Sequence, residues 1–156
     1  MSLLATRLEA ALCHHLGTIL PGLPIYPGHS NDTIESLPRL ICTIASGGGH
    51  LMQTAGVDQL SVEIQILATA GDTPEDPDPI ATLARISDAV RAALCLDSLP
   101  TVLAAINAPA TGTDTRAVRG LGLIGMEYEG HKEGRDPERA LHGVILTYAA
   151  WAYLTA

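Results

Sequence analysis

In Leu60-Ser61-Val62-Glu63-Ile64-Gln65-Ile66 every second residue is apolar and the residues between are polar. Successive side chains of a strand point to opposite faces, so this alternation predicts a β-strand over residues 57–69 with one face buried and the other in water. A half-buried strand needs something to cover it. Beyond an intervening loop, Ile80, Leu83, Ile86/Ser87, Val90 and Leu94 recur at the three- and four-residue spacing of a helix stripe. The spacing predicts an amphipathic helix over 81–96 that lies on the sheet, with Arg85, Asp88 and Arg91 toward its polar sides. The loop itself, residues 71–79, holds four carboxylates (Asp72, Glu75, Asp76, Asp78) and three prolines. Proline stiffens the backbone and removes a donor, so the loop reads as an exposed protrusion.

Upstream, Ser2 can cap a first helix in which Leu4, Leu8, Leu12, His15/Leu16 and Ile19 form one apolar stripe. Gly17 weakens its end and Pro21-Gly22-Leu23-Pro24 stops it, leaving Ile25 and Tyr26 as a short extended piece. After Pro38, the β-branched run over 39–45 reads as a buried strand. Ser46-Gly47-Gly48-Gly49-His50 then has the backbone freedom to reverse direction. A connection of roughly ten residues is too short for a helical crossover, so the strands on either side are expected to pair antiparallel around an extended tip.

Asp97-Ser98-Leu99-Pro100 ends the central helix, and 101–106 fits either a short helix or a strand. The glycines of 118–129 predict a bent or bulged strand, and the charged segment 130–137 reads as turn-like. A strand is favoured over 140–154 by Val144, Ile145, Thr147, Tyr148, Trp151 and Tyr153, although Ala149, Ala150 and Ala152 also suit a helix. The expected class is α+β: a mostly antiparallel sheet of about four to five strands, with an N-terminal and a central helix packed on it.

A chain of 156 residues fits one domain, 1–156, with a single core. At 47% hydrophobic and 17% charged residues it is too apolar to be disordered, yet no uncharged apolar run approaches the roughly 20 residues that cross a bilayer. Arg7 and Glu9 interrupt the opening apolar pattern, unlike a secretory signal, so a soluble cytoplasmic protein is expected. The formal charge of -8 argues against phosphate-backbone affinity: DNA near this chain is repelled. Cys13, Cys42 and Cys95 are widely spaced among apolar neighbours and read as buried free thiols; no Cys-x-x-Cys pair supports a zinc site.

Local chemistry is sparse. The glycines of 46–50 could gather backbone N–H groups on an anion, but no Gly-Lys-Ser/Thr follows and a hairpin tip is the better account. His14 and His15 point about 100° apart on a helix and cannot chelate from one face, so one packed and one exposed ring is expected. His29, His50, His131 and His142 lack a Gly-x-Ser-x-Gly elbow or a His-Glu-x-x-His partner. Prolines among Glu75, Asp76 and Asp78 break the ligand rhythm of a calcium loop. Glu127 and Glu129 read as a wet sheet face, and Trp151 with Tyr153 as core or subunit contact.

The order of elements is more telling. An N-terminal helix, a proline before a short strand (Leu37-Pro38-Arg39-Leu40-Ile41-Cys42), a long alternating strand, an acidic loop, one central helix and two late strands together resemble the tail terminator, or tail completion, proteins of long-tailed bacteriophages and prophages. The likeness spans nearly the whole chain and rests on lengths and polarity, so no residue carries over by signature. It implies a non-enzymatic subunit that forms a ring, commonly a hexamer, on the last ring of the tail tube, ends tube polymerisation and faces the head. The implied partners are further copies of itself, the tail tube protein and a head-tail connector. DNA passes without specific binding, and no cofactor, metal or membrane is implied. Assembly would occur in the host cytoplasm, and the product would reside in the virion tail. Acidic character suits a bore that passes DNA without gripping it.

On this reading the contact residues are Gly48, Gly49, His50 and Met52 in one loop and Asp72, Glu75, Asp76 and Asp78 in the other. Neutralising Glu75, Asp76 and Asp78 is expected to leave folding intact and to impair tail assembly. A head-tail connector or neck protein also fits the glycine-rich late strand and apolar C-terminus. The alternative of another class is a small hydrolase or ligand-binding domain using His50 or His131.

Overall fold

A computed structural model describes residues 3–28, 37–46, 56–69, 74, 76–107 and 120–154. The elements are α1 (Leu3–Ile19), β1 (Ile25–Pro27), β2 (Arg39–Ser46), β3 (Asp58–Thr69), α2 (Pro79–Ala93), a 3₁₀ turn (Leu96–Ser98), α3 (Leu99–Asn107), β4 (Leu121–Asp136) and β5 (Leu141–Leu154). The strands form one sheet in the order β1-β2-β3-β5-β4. β1 runs parallel to β2, and every other pairing is antiparallel. The class is α+β, as expected.

The register shows why the alternation matters. Leu40, Ile66 and Val144 form one row across three strands, Cys42, Ile64 and Leu146 the next, and Ile44, Val62 and Tyr148 a third. All nine are buried. The next-door rows, Ile41-Gln65-Ile145 and Thr43-Glu63-Thr147, face the other way and are only partly covered or exposed. A shift of one residue would exchange these two sets, so burial of one face pins the register. On the buried face α1 packs against β1 and β2, α2 against β3 and β5, and α3 against β4. Each fully buried Leu, Ile or Val there contributes about 1.5–3 kcal/mol relative to exposure.

The N-terminal helix buries Leu4, Leu8, Leu12, His15 and Leu16 of its expected stripe, whereas Ile19, the last residue of the helix, is exposed. Glu9 is buried too: it is 0% exposed, and the Ile44 N–H donates to its Oε2 at 3.4 Å. The sequence presents Glu9 only as a charge breaking an apolar run. Ser2 lies outside the described residues. Cys13 and Cys42 are buried free thiols, and the hydrogen bond between them, followed by burial, pushes the Cys42 thiol well above its usual range. His15 packs into the core while His14 is half-buried.

Several expectations need correction. The central helix ends at Ala93 rather than 96, and Leu94 forms its C-cap. Ile80, assigned to the apolar stripe, is 64% exposed because Pro79 takes the buried place one residue earlier. Cys95 therefore sits in a turn after the helix and is half-buried. Residues 101–106 settle as helix. The charged segment 130–137 is not a turn: β4 continues through Asp136, and the reversal falls at 137–140. Alternation disappears there because residues 131–135 are exposed on both faces, which removes the polarity signal on which the strand reading depends. The predicted bulges are present, at Leu123/Gly125 and Tyr128/Gly130. Among the described residues no single helix is long and apolar enough to cross a membrane.

Candidate functional site

The acidic loop enters α2 through a built cap. Asp78 is the N-cap, and its Oδ1 accepts from the Ala81 N–H at 3.2 Å. The Thr82 hydroxyl lies 2.8 Å from Asp76 Oδ1 and 3.2 Å from the Asp78 carbonyl, and the Thr82 N–H donates to that carbonyl at 3.1 Å. Pro79 occupies the first turn, where its missing N–H costs nothing and its fixed φ suits a helix start. Both carboxylates lie at the positive end of the helix dipole. Two of the four acidic residues in the loop thus help to start a helix, so neutralising Asp76 and Asp78 is not silent for folding. Asp72 and Glu75 lie outside the described residues, as do Gly48, Gly49, His50 and Met52.

A feature the sequence reading missed lies on the sheet face that the helices leave open. At the end where β2 and β5 begin and β3 and β4 finish, a groove of about 520 Å³ runs over Ile41, Leu67, Leu141 and Ile145. Arg39, Lys132, Arg135 and Arg139 line it, together with Glu133 and Asp136. Four of the chain's nine cations therefore gather in one place on an acidic protein. Arg139, 80% exposed, approaches Asp136 at 3.7 Å, an exposed contact worth little in water. The clustering of Lys132, Arg135 and Arg139 within eight residues was the available signal. Reading the segment as a turn concealed that strand pairing carries it across to Arg39.

On the helix side, a cavity of about 680 Å³ lies between the end of α2, the 3₁₀ turn and β4. The Arg91 guanidinium sits 4.7 Å from the centroid of the Tyr128 ring, and Tyr128 meets Tyr148 edge-on at 5.5 Å. Arg91 is thus turned onto an aromatic face, a cation–π contact. Tyr148 is 1% exposed and, among the described residues, its hydroxyl has no hydrogen-bond partner; burial first, then the neighbouring Tyr128, pushes its pKa up to about 12. At the cavity's edge the Ser98 hydroxyl, 3.5 Å from Cys95 Sγ, holds that thiol below its usual range.

Of the histidines, His131 is exposed on β4 with Nδ1 2.9 Å from the Tyr128 hydroxyl, and His142 is half-buried at the start of β5. His29 and His50 lie outside the described residues. His15 is buried, its Nε2 has no partner among the described residues, and burial, then the charge of His14, lowers its pKa. Among the described residues no group of three His, Cys, Asp or Glu side chains is placed to hold a metal ion. Glu127 and Glu129 are both exposed; Trp151 and Tyr153 are both partly covered on the open face.

β4 is the outer strand of the sheet, and its exposed backbone edge is a template for pairing with another chain. The Asn107 carboxamide covers part of it, donating to the Leu123 carbonyl at 3.1 Å and accepting from the Leu123 N–H at 2.7 Å. At that point a side chain takes the place of a neighbouring strand.

No protein-family model matches the chain, and no curated protein matches it. Its fold is similar to that of a chain in the virion of a native gene transfer agent particle, with a TM-score of 0.52 and 16% identity over 97% of this chain and 98% of that one.

Proposed function

We propose that this protein is a virion assembly subunit of the tail-terminator type: it caps the tail tube as a ring, ends tube polymerisation and provides the surface that joins the head. One observation carries the reading. The fold is similar to that of a chain of a gene transfer agent virion along nearly the whole length of both, 97% of this chain and 98% of that one. The acidic charge is in keeping with a DNA-passing bore. Residues 46–55 and 71–79 are the contact arms, and the protein acts without a cofactor or catalytic group.

Light scattering at rising concentration, with negative-stain imaging of the largest species, tests the ring. The expected result is a closed oligomer of uniform size, most readily in the presence of tail tubes. A chain that stays monomeric at high concentration and ignores purified tubes contradicts it. Binding to finished heads in preference to finished tails would assign the protein to the connector instead.

A further inference from the structure

The groove on the open face is cationic, and the chain carries its own complement. By strand register Lys132 and Asp136 stand with Ile145 and Leu141 on the open face, whereas Glu133 and Arg135 pair with Val144 and His142 of the covered one; Arg39, Lys132 and Arg139 against Asp136 leave a net of two positive charges over an apolar floor. The 71–79 segment presents four carboxylates on a backbone stiffened by three prolines, so ordering it on a surface costs little conformational entropy. Their placement matters as much as their charge. The acidic segment leaves β3 at Thr69, which pairs with Leu141, while Arg39 pairs with Leu67, so segment and groove share one end of the sheet. The groove opens on the uncovered face, whereas Asp76 and Asp78, the described carboxylates of the segment, lead into α2 on the covered one.

We propose that the groove receives the acidic 71–79 segment of a second copy of this chain, joining subunits open face to helix face. This rests on the ring reading above. Cyclic symmetry is a pure rotation, so the two halves of a heterologous contact must sit at equal height along the axis and on different sides of the subunit. Groove and segment meet both conditions when the strands run along the axis. Opposite charge fixes the order of front and back, since a front-to-front pairing sets cation against cation.

Lys132 is the one lysine of the chain, so a zero-length carbodiimide cross-link from a lysine side chain reports on this groove alone. Equal amounts of ¹⁴N- and ¹⁵N-labelled protein are mixed, assembled on tail tubes, cross-linked and read by mass spectrometry. The expected product joins Lys132 to a carboxylate of 71–79 in mixed-isotope pairs. R139E should raise the concentration needed for assembly roughly tenfold, and adding D72R/E75R, which spares the cap residues, should restore most of the loss. Cross-links confined to one isotope, cross-links to other carboxylates, or assembly with no Lys132 product would overturn the docking and leave the ring standing. A chain that never assembles would overturn both.

Discussion

Asp78 is a residue whose part in the molecule changes with its surroundings. As one of four carboxylates between prolines it reads as solvated charge, yet its Oδ1 holds the Ala81 N–H and starts α2. Replacing an Asp N-cap by alanine typically costs about 1 kcal/mol, and D78A should lower the free energy of unfolding by about that much in urea titration. An unchanged midpoint would show that the cap is idle. His15 makes a second prediction, with a sign. Burial lowers its folded pKa below the usual 6.5, so the stability it contributes is present above about pH 6.5 and is lost as pH falls, because the buried neutral ring must charge. H15Q should therefore show a flatter fall of Tm between about pH 7 and about pH 5 than the parent chain. Equal slopes would remove His15 from the acid response. Neither role was legible in the sequence, because cap geometry and burial depend on where the chain turns.

Among the elements, the strongly periodic ones were readable and the charged ones were not. The β3 alternation and the Leu83, Ile86 and Val90 stripe of α2 each answer to a single buried face, so polarity reported them faithfully. The β4–β5 hairpin defeats the same reasoning. In its outer part residues 131–135 are exposed on both faces, and pairing rather than burial keeps the strand extended. At its turn Ala140 adopts φ 53, the left-handed region that costs an L-residue about 1–2 kcal/mol and glycine little. A140G should therefore raise stability, by about 0.5–1 kcal/mol after glycine's extra unfolded-state entropy, as measured by thermal melting. A lower Tm would mean that the turn is relaxed as it stands. The segments 46–55 and 71–79, proposed as contact arms, were marked by composition, but the cationic groove emerged only when strand pairing joined residues nearly a hundred positions apart.

For the whole molecule, one covered and one open sheet face give a subunit with two unlike sides, the arrangement from which heterologous rings are built. The outer edge of β4 is bulged and partly clasped by Asn107, which disfavours open-ended strand addition and is in keeping with the proposed face-to-back contact. The proposed role is in keeping with the fold correspondence and with the distribution of charge, and it concerns what this chain would do to a growing polymer. Tail tube protein should therefore be polymerised with increasing amounts of this chain and the tubes measured by electron microscopy. The account predicts that mean tube length falls as the chain is added and that finished tubes carry an extra ring at one end. Tubes of unchanged length with bare ends, at concentrations where the chain is in excess, would contradict it.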